Sequence, residues 1–136
     1  MRIAALLSLL ALAACDTTSA IFPPQSGIAV GDVELAADRD AYRAGQEITL
    51  TLSNGSASRV ETGVMGCATL EKRTSEGWSQ DVPYNDRACI LPIVVVEPGE
   101  TFSGTLVLDP VGEGTYRFRH GTNVGELATA SFVVTG

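Results

Sequence analysis

The sequence predicts an all-β domain, an antiparallel β-sandwich built from short strands. Three observations predict it. From about residue 28 onward, apolar and polar residues alternate with period two, the mark of strands buried on one face. Turn residues interrupt the alternation at intervals of about 8 to 12 residues. No stretch after Ala14 holds a helical period. The chain has 136 residues, 45% of them apolar and 18% charged, which suits one folded domain. Its net charge of -7 argues against nucleic acid as a partner, because phosphate binding needs a basic patch.

The strands follow in order. Val33 and Leu35 face one way while Asp32 and Glu34 face the other. Ile48, Leu50 and Leu52 alternate with Thr49, Thr51 and Ser53. Val60, Thr62 and Val64 continue a third strand, and Ala68–Arg73 reads as another. Phe102, Leu106 and Leu108 share a face. Tyr116 and Phe118 alternate with Arg117 and Arg119, and Ala130, Phe132 and Val134 alternate with polar neighbours or Val133. Ile90–Val96 is continuously apolar but contains Pro92, which places it at an edge or a bend. Ala44-Gly45, Asn54-Gly55, Glu76-Gly77, Pro98-Gly99, Gly112–Gly114 and His120-Gly121 supply the reversals. Asn54-Gly55-Ser56 matches a glycosylation sequon and reads better as a hairpin turn.

The N-terminus reads as an address. Arg2 precedes the apolar run Ile3–Ala14, which is too short to span a bilayer and ends in small residues. Leu12-Ala13-Ala14-Cys15 resembles the lipobox of bacterial lipoproteins. The resemblance implies diacylglyceryl transfer to the Cys15 thiol, cleavage before it and acylation of the new amine. Residues 1–14 are then a signal peptide. Residues 15–27, rich in Thr, Ser and Pro, form a flexible tether, whose 12 residues after the cysteine reach at most roughly 40 Å. The expected location is the bacterial cell envelope, with the membrane as partner through the N-terminal lipid. Two or three chains make a durable anchor where one does not. Asp16 implies inner-membrane retention in enteric-type bacteria, and the outer membrane is the alternative.

The chain has three cysteines. With Cys15 lipidated, Cys67 and Cys89 remain, and an even count in an exported chain suggests a disulfide. It would close a loop of about 23 residues, with a chain-entropy effect of about 3 kcal/mol. Neither cysteine has a metal-like CxxC spacing or a nearby His, so no metal or cofactor is expected.

The folded part resembles bacterial immunoglobulin-like domains. The resemblance lies in Asp40–Asn54 (DAYRAGQEITLTLSN), in the turn Val96–Thr101 (VEPGET), in Gly114–Phe118 (GTYRF), and in Cys67–Trp78 followed by Cys89. It covers residues 33–134 and implies an immunoglobulin-like antiparallel sandwich over residues 28–136. Such domains serve as adhesion, spacer and binding modules. The intracellular proteinase-inhibitor domain of bacilli is similar in pattern but lacks the cysteine pair.

No catalytic constellation is evident. His120 is the sole histidine, there is no G-x-S-x-G elbow, and the chain is read as a non-enzyme. His120 fits a structural role at a strand end. Asp38 and Asp40 could share calcium but are too few for its six to eight oxygens. Tyr116 suits a hydroxyl bond back to nearby backbone. Trp78 is expected to pack against the disulfide. Arg117 and Arg119 are expected to pair with carboxylates on neighbouring strands. If the domain binds an envelope protein or polymer, the loops Gly77–Arg87 and His120–Gly125 are the candidates, through Trp78, Tyr84, His120 and Asn123. A loop-presenting protease inhibitor is the alternative function.

Overall fold

The computed structural model describes residues 22–90 and 92–136. The signal-like segment, Cys15 and the start of the tether lie outside the described residues. Among the described residues eleven strands run in order: β1 (Val33–Ala37), β2 (Ala41–Arg43), β3 (Glu47–Asn54), β4 (Val60–Thr62), β5 (Thr69–Thr74), β6 (Gly77–Ser79), β7 (Val94–Val96), β8 (Thr101–Val107), β9 (Gly114–Thr122), β10 (Gly125–Ala128) and β11 (Phe132–Thr135). Among the described residues there is no α-helix, only 3-10 turns at Met65–Cys67 and Pro83–Asp86. The all-β class is therefore as expected.

The strands form two sheets. The smaller has the order β1-β3-β8. In the larger, β2-β11-β9-β4-β7 form the main path, β10 joins β9, and β5 joins β9 and β6. Every pairing is antiparallel except β2 with β11. The alternation dictates the packing. Leu35, Ile48, Leu50 and Leu52 from the small sheet meet Leu70, Tyr116, Phe118 and Phe132 from the large one in a single buried cluster. Burial of a Leu, Ile or Phe side chain contributes roughly 1.5–3 kcal/mol, so these inward rows hold the sheets together.

Turn chemistry explains two reversals. In Arg43–Gln46 and Glu97–Glu100 the fourth N–H donates to the first C=O at 3.0 Å. Gly45 and Gly99 occupy the third position with φ of +79° and +81°, which a type II turn requires. Tyr116 behaves as expected, its hydroxyl donating to Gly112 C=O at 2.8 Å.

Two expected turns differ. Asn54-Gly55 makes no hairpin, because β3 and β4 lie in different sheets. Asn54 is a buried clamp instead: Nδ2 donates to Ser58 and Val96 C=O at 2.8 and 2.9 Å, and Oδ1 accepts from the Ser56 N–H and hydroxyl. His120-Gly121 does not reverse the chain either. Strand β9 continues to Thr122 and the turn falls at Asn123-Val124, where the ladder with β10 overrides the local glycine signal.

The folded unit also reaches back beyond Ile28, into the segment read as tether. Gln25 N–H donates to Ser131 Oγ at 2.8 Å, Ser131 N–H donates to Gln25 C=O at 2.9 Å, and Ile28 exchanges two backbone bonds with Ala128.

Candidate functional site

The outer face of the large sheet carries a polar and aromatic constellation centred on Glu71. Glu71 lies directly across from Arg117 in the β5–β9 ladder. Its carboxylate accepts from Arg117 Nε at 2.5 Å, Arg119 Nη1 at 3.4 Å and Gln80 Nε2 at 3.2 Å. Arg119 is shared with Glu126 on β10. The expected pairing of Arg117 and Arg119 with neighbouring carboxylates is thus present. The unexpected part is that Glu71 is only 2% exposed. Burial works against its charged form, but the Arg117 bond, the Gln80 bond, the Arg117 charge and the Arg119 bond outweigh it and hold its pKa below the usual carboxylate value.

Trp78 belongs to this constellation and not to the disulfide. It pairs across from Arg73 at the end of β5 remote from Thr69, whereas the disulfide lies beside Thr69. The Arg117 and Arg73 guanidiniums lie 4.4 and 5.6 Å from its ring centre, and its Nε1–H donates to Gln25 Oε1 at 3.1 Å. Phe22 lies under Arg73 in turn. The tryptophan therefore pins the N-terminal segment onto the sheet. Cation–π contacts of this kind contribute about 0.5–1 kcal/mol at exposed sites and more when desolvated.

The loop Gly77–Arg87 is folded inward. Tyr84 is 1% exposed and meets Phe118 edge-on, with ring centres 5.7 Å apart. Its hydroxyl bonds Arg87, and burial pushes its pKa up, the Arg87 charge opposing. Tyr84 is a core residue, so the expectation that it meets a partner is corrected. Asn85 explains the inward course. Its side-chain amide accepts from Leu70 N–H at 2.9 Å and donates to Leu70 C=O at 2.8 Å, mimicking a strand partner for β5. Cys67 and Cys89 are joined by a disulfide with Cα atoms 5.2 Å apart, which closes this segment onto the sheet. Beyond it, Ile90 and Ile93 are 84% and 74% exposed. Sequence reasoning placed this run at an edge or bend without marking it as exposed.

In the second loop, Asn123 is exposed but occupied, its Oδ1 accepting from Glu61 N–H at 2.8 Å. His120 is buried, so its expected binding role is likewise corrected in favour of the structural one. Nε2 donates to Gly63 C=O at 3.1 Å, which fixes the proton on Nε2 because a carbonyl only accepts. Asp38 accepts from the Tyr42 hydroxyl at 2.7 Å and Thr49 N–H at 2.9 Å. Among the described residues no three His, Cys, Asp or Glu side chains converge on a metal-sized site.

These groups dictate an acid profile. Burial pushes the His120 pKa below its ordinary 6.5, the Gly63 bond offsetting this only in part. Between the depressed folded value and the ordinary one, the unfolded chain binds the extra proton, so stability falls as pH drops through that window. Glu71 and Asp38 are also depressed, so their contribution is lost at lower pH, beneath about 4.5. Thermal unfolding followed from about pH 7 to 3 should show both limbs, and His120→Gln should remove only the upper one. An unchanged upper limb in that variant would exclude His120 as its source.

No protein-family model matches the chain, and no curated protein matches it. Among solved structures, the chain is similar to the alkylpurine DNA glycosylase AlkC of Pseudomonas fluorescens, bound to DNA containing an abasic site analog, at 10% identity and a TM-score of 0.44. The match covers 77% of this chain and 31% of the glycosylase, so the chain spans under a third of that protein. A likeness of this degree carries no functional inference.

Proposed function

We propose that the chain is an envelope lipoprotein, moored through Cys15, whose immunoglobulin-like sandwich acts outside the cytosol as a non-enzymatic binding or structural module. The observation that carries this is the cysteine distribution. Cys67 and Cys89 are bridged, as suits an oxidising compartment, and the remaining cysteine stands at the end of a lipobox-like tetrad. The immunoglobulin-like assignment is supported by the split edge, with β1 pairing to β3 in one sheet and β2 to β11 in the other, and by the Tyr116 bond to Gly112. With Tyr84 and His120 buried, Trp78 and Asn123 are the candidate side chains of those loops that stay open to a partner.

Intact-mass analysis of the membrane-extracted protein tests the anchor. The expected product begins at Cys15 and carries a diacylglyceryl adduct, and Cys15→Ala should leave the protein in the soluble fraction. A mass beginning at Met1 with no lipid would overturn the proposal.

Protease inhibition is a second function that one observation favours. Ile90, the residue after the bridged Cys89, and Ile93 are strongly exposed, and exposed aliphatic side chains next to a covalent tie are what such an inhibitor presents to a protease. Inhibition of an aliphatic-specific serine protease, lost in Ile90→Asp, would support it. Full protease activity at a large excess of the protein would remove it.

A further inference from the structure

Among the described residues strand β1 is an edge of the smaller sheet, covered only at Val33 by Val30, and its backbone directions can be assigned. Asp38 N–H donates to Thr49 C=O across the β1–β3 register at 3.0 Å, while Val33 exchanges both its bonds with Val30 on the opposite side. Backbone direction alternates along an antiparallel ladder. Glu34 and Ala36 therefore face β3, and Leu35 and Ala37 turn N–H and C=O outward. Among the described residues none bonds those four groups.

They line a cavity of about 620 Å³. Its other walls include the small Gly27, Ala29, Ala130 and Ser131 and the exposed Ile28. The cavity exists because the N-terminal segment splays from β1: Val30 stays paired with Val33, but Ile28 crosses to Ala128 on the other sheet. Glu34, Asp38 and Asp40 outnumber the one cation in the lining, Arg39, which is itself 3.6 Å from Asp38.

We propose that this cavity accepts an extended peptide segment of a partner protein, added as a strand along β1 through Leu35 and Ala37. Donor–acceptor pairs repeating every second residue, about 6.7 Å apart, match another extended backbone. Gly, Ala and Ser walls beside Ile28 give short and apolar side chains facing inward room and an apolar surface to bury. The acidic rim selects a segment with a basic residue beside it and disfavours a second copy of this chain, which carries the same rim and a net charge of -7. The proposal deepens the binding-module function by naming its site and partner class, but it does not depend on the lipid.

The test uses the full-length protein, labelled with nitrogen-15 in detergent micelles. The probe is the capped heptapeptide KTATVTA, with a second version N-methylated at its alanines and valine. The expected result is a shift of the Leu35 and Ala37 amide signals with about tenfold slower exchange, and no effect from the N-methylated peptide. Ala37→Pro should weaken peptide binding about tenfold while leaving the β3 ladder intact, because proline removes only an outward donor at an edge. If that variant fails to fold, the paired peptides still decide. Equal binding of both peptides, or no response at millimolar peptide, would overturn the proposal. Slowed exchange that grows with protein concentration in the absence of peptide would overturn it in favour of self-pairing. Cys15→Ala should bind the peptide unchanged, so failure of the anchor and failure of the strand site are read separately.

Discussion

Phe118→Ala should cost about 3–5 kcal/mol of folding free energy, the largest effect expected of any single substitution in this domain. Phe118 is fully buried on β9. Its ring lies 5.7 Å from Tyr84, edge-on, and 5.9 Å from Phe132, stacked. Phe132 in turn meets Tyr42 edge-on at 5.3 Å. Truncation would remove the ring that joins the inward-folded Pro83–Asp86 turn to the C-terminal strand, and the two rings that face it, Tyr84 and Phe132, cannot close the gap together. A domain of this size is stable by about 5–15 kcal/mol, so the variant should lose about a fifth of its margin or more. At about 4 °C per kcal/mol its Tm should fall by roughly 12–20 °C. Guanidinium unfolding of the two proteins side by side gives the number. A loss below about 1 kcal/mol would mean that the aromatic chain from Tyr84 to Tyr42 is not the centre of the core.

The inner face of the sandwich was legible because period-two patterning reports burial directly. Ile48, Leu50 and Leu52 on β3 and Tyr116, Phe118 and His120 on β9 are buried as their parity requires. The outer face was legible only in the pairing of Arg117 and Arg119 with carboxylates. Glu71 has outward parity and a charged side chain, both of which read as solvent-facing, yet it is buried. Its cover is long side chains from β9, Arg117 and Arg119, and Gln80 just after β6, and no local pattern encodes that. Tyr84 failed for a related reason. Its surroundings, Asn85, Asp86 and Arg87, have the composition of a surface loop, but Asn85 uses its amide to complete the ladder of Leu70 and turns the tyrosine inward. The cysteine pairing was legible by count, whereas the position of Trp78 depended on Gln25, a residue read as spacer. The β1 slot could not be read from sequence at all. It arises from the divergence of two segments, which is a tertiary property.

Replacing both bridge cysteines, Cys67→Ser with Cys89→Ser, should destabilise the domain by about 3 kcal/mol, the chain-entropy expectation for a loop of this length. The structure adds a local consequence that the loop argument lacks. The bridge holds the end of the segment that carries Tyr84 and Asn85, so its removal should also loosen the Asn85 bonds to Leu70 and the edge contact on Phe118. Hydrogen exchange separates the two effects. If the bridge acts only on the unfolded chain, the Leu70 amide should lose protection by the same free energy as the most protected amides of β3 and β9. If it also clamps the segment, Leu70 should exchange through a lower-energy local opening. The double-mutant cycle with Phe118→Ala gives an independent measure. A bridge that acts only on the unfolded chain predicts additive losses, whereas clamping of Tyr84 against Phe118 predicts a combined loss smaller than the sum by more than about 0.5 kcal/mol. Additivity together with uniform exchange would assign the disulfide to the unfolded chain alone and leave Asn85 and the buried aromatic contact to hold the segment unaided.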